Sequence, residues 1–133
     1  MQSSNIPIFL AKLNAARQGH FVSIKVELCS KLLTILAVFE EIGIIRGFHV
    51  MPNEDKIKVF LKYVGGSLNV FEKIVLVSRP GRKVYVDVLG LIKLKEREGG
   101  TRIFVLSTNK GILYDSECLA LKIGGEVLFK ISI

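Results

Sequence analysis

The segment Ser107-Thr108-Asn109-Lys110-Gly111 sets two hydroxyls, an amide and an ammonium beside a glycine, and Gly124-Gly125-Glu126 follows it. Short polar side chains next to glycine let a backbone approach a nucleic-acid groove and reach sugar hydroxyls or base edges, while Lys110 can neutralise phosphate. Glu126 is the odd member, because phosphate repels a carboxylate. At such a surface it is useful only by accepting a hydrogen bond from a base amino group or by orienting a neighbouring donor. The same spacing also fits Ser and Thr satisfying turn amides while Glu126 opens a strand. In Ser78-Arg79-Pro80-Gly81-Arg82-Lys83, Pro-Gly sets a tight turn with three cations around it, suited to phosphate oxygens. A plain solvent-exposed turn accounts for that composition slightly better, since Pro-Gly turns flanked by charge are common.

Other chemistry finds no residues to carry it. The two histidines, His20 and His49, lie outside any spacing for a nucleophile and base or a ligand set. The double glycines match neither Gly-x4-Gly-Lys-Ser/Thr nor Gly-x-Gly-x-x-Gly between a strand and a helix, so turns explain them better. Cys29 and Cys118 stand far apart with no second ligand nearby, which predicts two buried free thiols in a reducing compartment, with neither zinc nor a disulfide. The pattern implies no enzyme, no cofactor and no small-molecule substrate.

Composition narrows the partner. Half of the 133 residues are apolar, enough to bury a core. The most apolar stretch, Leu28 to Ile45, is interrupted by Lys31, Glu40 and Glu41, so no membrane span is expected. Nineteen Lys and Arg against twelve Asp and Glu leave +7, which favours a polyanion. The excess is spread over both halves: eight cations meet five acids in residues 1–66, and eleven meet seven in 67–133. No acid precedes Glu27, but with three Lys or Arg in that stretch it reads as part of the mature fold and not as a targeting segment.

These segments must be held by a scaffold. Apolar spacing predicts a helix over residues 6–18 with Pro7 in its first turn, then a strand over Phe21–Leu28. Ser30 should cap a second helix with Leu32, Ile35, Leu36, Phe39 and Ile42 on one face and Gly43 at its end. Strands over Ile44–Met51 and Lys56–Val64 flank a turn at Pro52-Asn53-Glu54-Asp55, and Gly65-Gly66 closes this part. In the second half strands are expected over Ile74–Val77, Val84–Leu94, Ile103–Leu106 and Glu126–Ile131. Lys95 to Glu98 should be a solvated hairpin tip, and a short helix should follow Gly111, capped by Asp115 with Leu119 and Ala120 inward. The fold class is α+β in two small α/β lobes. Residues 1–70 form an α-β-α-β-β lobe and residues 71–133 a mostly β lobe with a short helix, the latter carrying both polar segments and so expected to be the RNA-binding one if they meet RNA.

The two polar segments, in this order, resemble the carboxy-terminal signature of the universal small ribosomal subunit protein eight family. That signature runs Ser-Arg-Pro-Gly-x-Arg-x-Tyr, then Ser-Thr-Ser-x-Gly-x-hydrophobic-x-Asp, then Gly-Gly-Glu. Here it stands as Ser78 to Tyr85, Ser107 to Asp115, and Gly124-Gly125-Glu126. Leu13 to Gly19 is similar to the family's Leu-x-x-Ile-Arg-Asn-Gly, and Glu41 to Ile45 to Glu-Glu-Gly-Phe-Ile. The resemblance implies a structural protein that binds a helix in the central domain of small-subunit ribosomal RNA, with neighbouring small-subunit proteins as further partners. It puts Ser107, Thr108, Asn109, Lys110, Gly111, Gly124, Gly125 and Glu126 at the RNA, with Lys31, Arg79, Arg82 and Tyr85 adding phosphate or stacking contacts. A non-ribosomal basic RNA-binding or regulatory module is the alternative. Asn109 replaces the signature's third Ser, and Ala15 stands where the family has the first Arg of an Arg-x-Arg pair. The stretch from Tyr85 to Ser107 is long and lacks Leu-Pro-Lys-Val. With the high Ile, Leu, Val and Phe content, these departures imply a divergent organellar version, mitochondrial before bacterial or plastid.

Overall fold

In the computed structural model, which describes residues 2–64 and 68–133, the helical and strand periodicities sort the chain into two units, Met1–Val70 and Phe71–Ile133. The turn expected at Gly65-Gly66 lies outside the described residues. In the first unit, helix α1 (Gln2–Gln18) buries Ile6, Phe9, Leu10, Leu13 and Ala16. It starts before the expected boundary, leaving Pro7 inside the helix, where proline removes one backbone hydrogen bond. The strongly apolar face beyond Ile6 sustains it.

Strand β1 (Ser23–Glu27) and helix α2 (Ser30–Ile42) follow, then β2 (Ile45–Met51) and β3 (Lys56–Leu61), paired antiparallel in the order β1-β3-β2. Gly43 takes φ 97 and its N–H bonds the Phe39 carbonyl, ending α2 as expected. The cap differs from expectation. Cys29 holds the extended N-cap position without a side-chain bond, and Ser30 is the first helical residue. Alternation along β3 buries Ile57, Val59 and Leu61, α2 buries Leu32, Ile35, Leu36 and Phe39, and the Phe9 and Phe39 rings of the two helices stack 6.1 Å apart. A two-stranded ribbon, β4 (Tyr63–Val64) with β5 (Leu68–Asn69), completes this unit.

The second unit is organised around β10 (Gly125–Ser132). One edge of β10 pairs with β6 (Lys73–Leu76) and then with β7 (Tyr85–Val86), and the other with β8 (Arg102–Thr108), which pairs in turn with β9 (Gly111–Tyr114). Two helices, α3 (Val88–Glu98) and α4 (Asp115–Leu121), accompany the sheet. Leu91 of α3 and Cys118 of α4 join Phe104, Leu106 and Val127 in one buried cluster.

The strand expected over Val84–Leu94 and the hairpin tip over Lys95–Glu98 are corrected here. Asp87 ends the β-branched run by accepting the Gly90 N–H at 2.7 Å, and the helix it opens runs to Glu98. Its inward face is half charged. Leu91 and Leu94 continue into Lys95, bonded to Asp115 at 2.6 Å, and Glu98, which faces Lys130 at 3.4 Å and Arg102 at 3.8 Å. Asp115 is not the cap of α4 but its first residue, with Tyr114 at the cap. Cys118 takes the inward position expected of Ala120, which is exposed, while Leu119 is partly buried against the core. Both cysteines are free and buried, and burial, with Asp115 and Glu117 nearby, pushes the Cys118 thiol up.

Asp115 is 2 % exposed and also accepts the Phe104 N–H at 3.1 Å, so one carboxylate ties α3, α4 and β8 together. Asp115→Ala leaves that buried amide and the Lys95 ammonium without their acceptor and should cost about 2–4 kcal/mol. Lys95→Met strands the buried carboxylate with only the Phe104 and Ser116 N–H groups as donors and should cost about 1–3 kcal/mol, less than Asp115→Ala because those donors remain. Urea unfolding of both variants checks the order, and an Asp115→Ala midpoint equal to wild type would refute this role.

Candidate nucleic-acid interface

A strand presents alternate residues to opposite faces, and directly paired residues on neighbouring antiparallel strands share a face. Val127 and its partner Leu106 are buried in the core, so the next pair, Glu126 and Ser107, faces outward. Glu126 also pairs with Tyr85 on its other side, and Ser107 with Ile112. The result is one outward row across four strands: Tyr85, Glu126, Ser107, Ile112. At three strand spacings the row spans about 14 Å. Tyr85 is 67 % exposed.

The row exists because two glycines let the backbones close up. A methyl group on Gly125 would drive into the Ser107 carbonyl and lie 3.1 Å from the Thr108 Cγ2. One on Gly124 would overlap the Val86 carbonyl and lie 2.7 Å from the Asp87 Cα. Protein backbone thus fills the space that both glycines leave, drawing β7 and β8 against the start of β10.

A cationic turn flanks each end. Thr108 pairs with Gly111 in a tight β8–β9 hairpin, where Gly111 takes φ 106 and Asn109 and Lys110 form the exposed tip. The Thr108 hydroxyl donates to the Gly111 carbonyl at 2.8 Å and accepts the Lys110 N–H at 3.1 Å, so it is committed to the turn. Ser107 makes no side-chain hydrogen bond among the described residues and is the available hydroxyl. At the other end Arg79 and Arg82 exchange backbone bonds of 3.1 and 2.8 Å around Pro80 and Gly81, and Gly81 at φ 78 gives a type II turn. Ser78, buried, accepts the Val84 N–H at 2.9 Å and closes the loop at its base. Val77 and Val84 each bond β10 there, at 2.8 and 2.9 Å. Arg79, Arg82, Lys83 and Lys110 are all exposed, and none is in an ion pair among the described residues.

Eleven of the twelve residues expected at the site therefore belong to one unit, and Lys31 lies in the other, exposed on the first turn of α2. The structure adds Ile112, and it brings in Lys83, one of the three cations of the Pro-Gly turn that the expected RNA contacts left out. Ile112 was missed with strand β9, whose two-residue turn carries no Asn-Gly or Asp-Gly signal, although a hairpin closed by Thr108 and Gly111 puts residue 112 opposite 107. Lys83 stood beside Arg82 and needed only the exposure of the loop.

The sequence model of the family described as Ribosomal protein S8 matches residues 5–132. The chain belongs to the ribosomal protein S8 family. It is 34 % identical over 128 residues to small ribosomal subunit protein uS8 of Phytoplasma mali, covering 96 % of each chain. The Nautilia profundicola uS8 is 41 % identical over 105 residues, 77 % of this chain and 78 % of its own. The protein uS8m of Acanthamoeba castellanii is 40 % identical over 105 residues, 77 % of this chain and 80 % of its own. Members of the S8 family from both bacterial and mitochondrial settings thus match nearly equally well.

Gly125→Ala tests what the glycine pair does. Overpacking against the Ser107 carbonyl should lower stability by about 1–3 kcal/mol. Hydrogen exchange should show lost protection of the Ser107 and Glu126 amides before that of Phe129 or Ile131. Unchanged protection in a stable Gly125→Ala protein would mean the strands do not close here.

Proposed function

We propose that this S8-family chain is a structural constituent of the small ribosomal subunit that binds a helix in the central domain of small-subunit ribosomal RNA, supporting assembly and translation. The observation that carries the reading is the outward row Tyr85–Glu126–Ser107–Ile112 between two uncompensated cationic turns. A-form RNA offers a wide, shallow minor groove lined by 2′-hydroxyls, which a sheet surface displaying a hydroxyl and a carboxylate can meet. Phosphate contacts fix position while groove contacts select, so Arg79, Arg82, Lys83 and Lys110 are the anchors and Ser107 and Glu126 the readers. Tyr85 supplies an exposed ring for stacking. Lys31 adds a phosphate contact from α2, and neighbouring small-subunit proteins complete the surroundings. On this reading the chain has no catalytic role.

We place that ribosome in a mitochondrion, on the divergent first helix, the high aliphatic content and the similarity to uS8m of Acanthamoeba castellanii. Bacterial cytoplasm and plastid are the alternatives, and co-fractionation of the tagged chain with one class of ribosome separates them.

Binding to a short central-domain RNA helix across a salt series tests the main reading. Ser107→Ala should weaken binding about 3- to 10-fold, the worth of one hydrogen bond, with the salt slope unchanged. Arg79→Ala should lower the slope by about 1 while selectivity over unrelated duplex is retained. Equal affinity of the wild type for unrelated duplex RNA would end the reading and favour a general basic module.

A further inference from the structure

The sheet of the first unit has an outer face that its helices do not cover. Register puts Ser23, Phe60 and Gly47 in one outward row and Lys25, Lys58 and His49 in the next. An extra residue in β2, between Ile45 and Gly47, places Arg46 at the end of the first row. Two adjoining open hollows of about 450 and 390 Å³ lie here and share Val22 and Arg46. Lys62 and Tyr63 line the larger, Gly47 and Phe60 the smaller.

The surface is apolar and aromatic at its centre and cationic at its rim. Phe21 and Val22 are 59 % and 70 % exposed, an unusual pair of adjacent apolar residues to leave in water. The Tyr63 hydroxyl donates to the Phe21 carbonyl at 2.7 Å and the His20 ring lies 5.6 Å from the Tyr63 ring, so the connection leaving α1 is fixed against β4. The Lys58 ammonium stands 5.4 Å from the centre of the Phe60 ring. Arg46, Lys58 and Lys62 take part in no ion pair among the described residues, whereas Glu27 and Glu54 on the same side are neutralised by Lys56 and Lys25. One carboxylate, that of Glu40, reaches the β2 edge beside Gly47.

We propose that this corner of the first unit is a second RNA-contact surface, taking an unpaired base of a single-stranded segment against Phe60 and Val22 with its phosphates on Arg46 and Lys62. The proposal rests on the chain being an RNA-binding protein but concerns a different surface and a different RNA form from the groove-reading row. Charge decides the class of occupant: three cations outside any ion pair against one carboxylate favour a polyanion, and a half-buried Phe60 ring and an exposed Phe21 ring among cations suit stacking on splayed bases. The hollows fall within the ~300–1,000 Å³ of small-ligand clefts, a volume of the order a nucleotide needs. A base entering over Phe60 displaces the Lys58 ammonium, which becomes a third phosphate contact.

The test uses the full chain with its duplex site saturated by unlabelled central-domain helix, and measures binding of a fluorescein-labelled oligouridine by anisotropy. Phe60→Leu keeps the apolar volume and removes the ring, and should weaken oligouridine binding about tenfold. Arg46→Gln with Lys62→Gln changes only exposed side chains and should lower the salt slope by about 1.4, two phosphates at ~0.7 each. A thiouridine-containing oligomer should crosslink to the peptides holding Val22 and Phe60. Wild-type oligouridine affinity in both variants overturns the proposal. If those variants also fail to enter small subunits, the corner belongs to a protein neighbour. Loss of duplex binding by the wild type would sink the groove-reading function separately, because the oligouridine arm does not depend on that site.

Discussion

The close approach of β7 and β8 to the first residues of β10 is the constraint on which the second unit depends. Two consecutive positions there have no room for a β-carbon, because carbonyls of Val86 and Ser107 occupy the space. With the backbones this near, Glu126 is paired on both sides, and alternation does the rest. Val127 goes to the core with Leu106 and Phe104, and Glu126 goes to solvent with Ser107 and Tyr85. A bulge between Val127 and Phe129 follows at once, where Leu128 accepts the Val77 N–H and anchors the loop that carries Arg79 and Arg82. Packing thus sets both the outward row and one of its cationic flanks.

Charge is distributed to match. Asp115, nearly without solvent, takes the Lys95 ammonium and a backbone amide, and Glu98 sits between Lys130 and Arg102. These pairs hold α3 and α4 to the sheet. Elsewhere Lys25 and Lys56 meet Glu54 and Glu27. Among the described residues the cations without an ion pair include those of the two turns flanking the row in one unit and of the Arg46–Lys62 corner in the other, alongside scattered ones such as Lys73, Lys93 and Lys122. Surface cations with no partner add nothing to folding and repel one another, so their cost is recovered only when a polyanion binds.

Much of this was legible from residue spacing, and the failures have physical causes. The first unit's helices and strands follow from long apolar periodicities, and Gly43 ended α2 as a left-handed cap should. The polar segments were visible as motifs, and the family's signature tied them together. Helix α3 was hidden because the inward positions of a helix need not be apolar. Lys95 and Glu98 complete its buried face through partners, Asp115 and Lys130, that lie far along the chain. Counting apolar residues alone turned Val84 to Leu94 into a strand. The double glycine was read as freedom for RNA to approach, whereas the volume next to it is protein. That distinction needs coordinates, since both demands select the same residue.

Glu126 shows why a carboxylate can belong in an otherwise cationic interface. On the proposed reading it lies between a hydroxyl and an aromatic ring, with no ion pair among the described residues. A phosphate placed there by a misregistered duplex meets like charge, while the exocyclic amino group of guanine, the one donor displayed by base pairs in a minor groove, meets an acceptor. Arg79, Arg82 and Lys110 attract any RNA in proportion to its phosphates, which yields affinity without selection. Glu126 subtracts from that attraction wherever the groove offers no donor. Discrimination then comes from the difference between the two, and needs no additional contact to the correct helix.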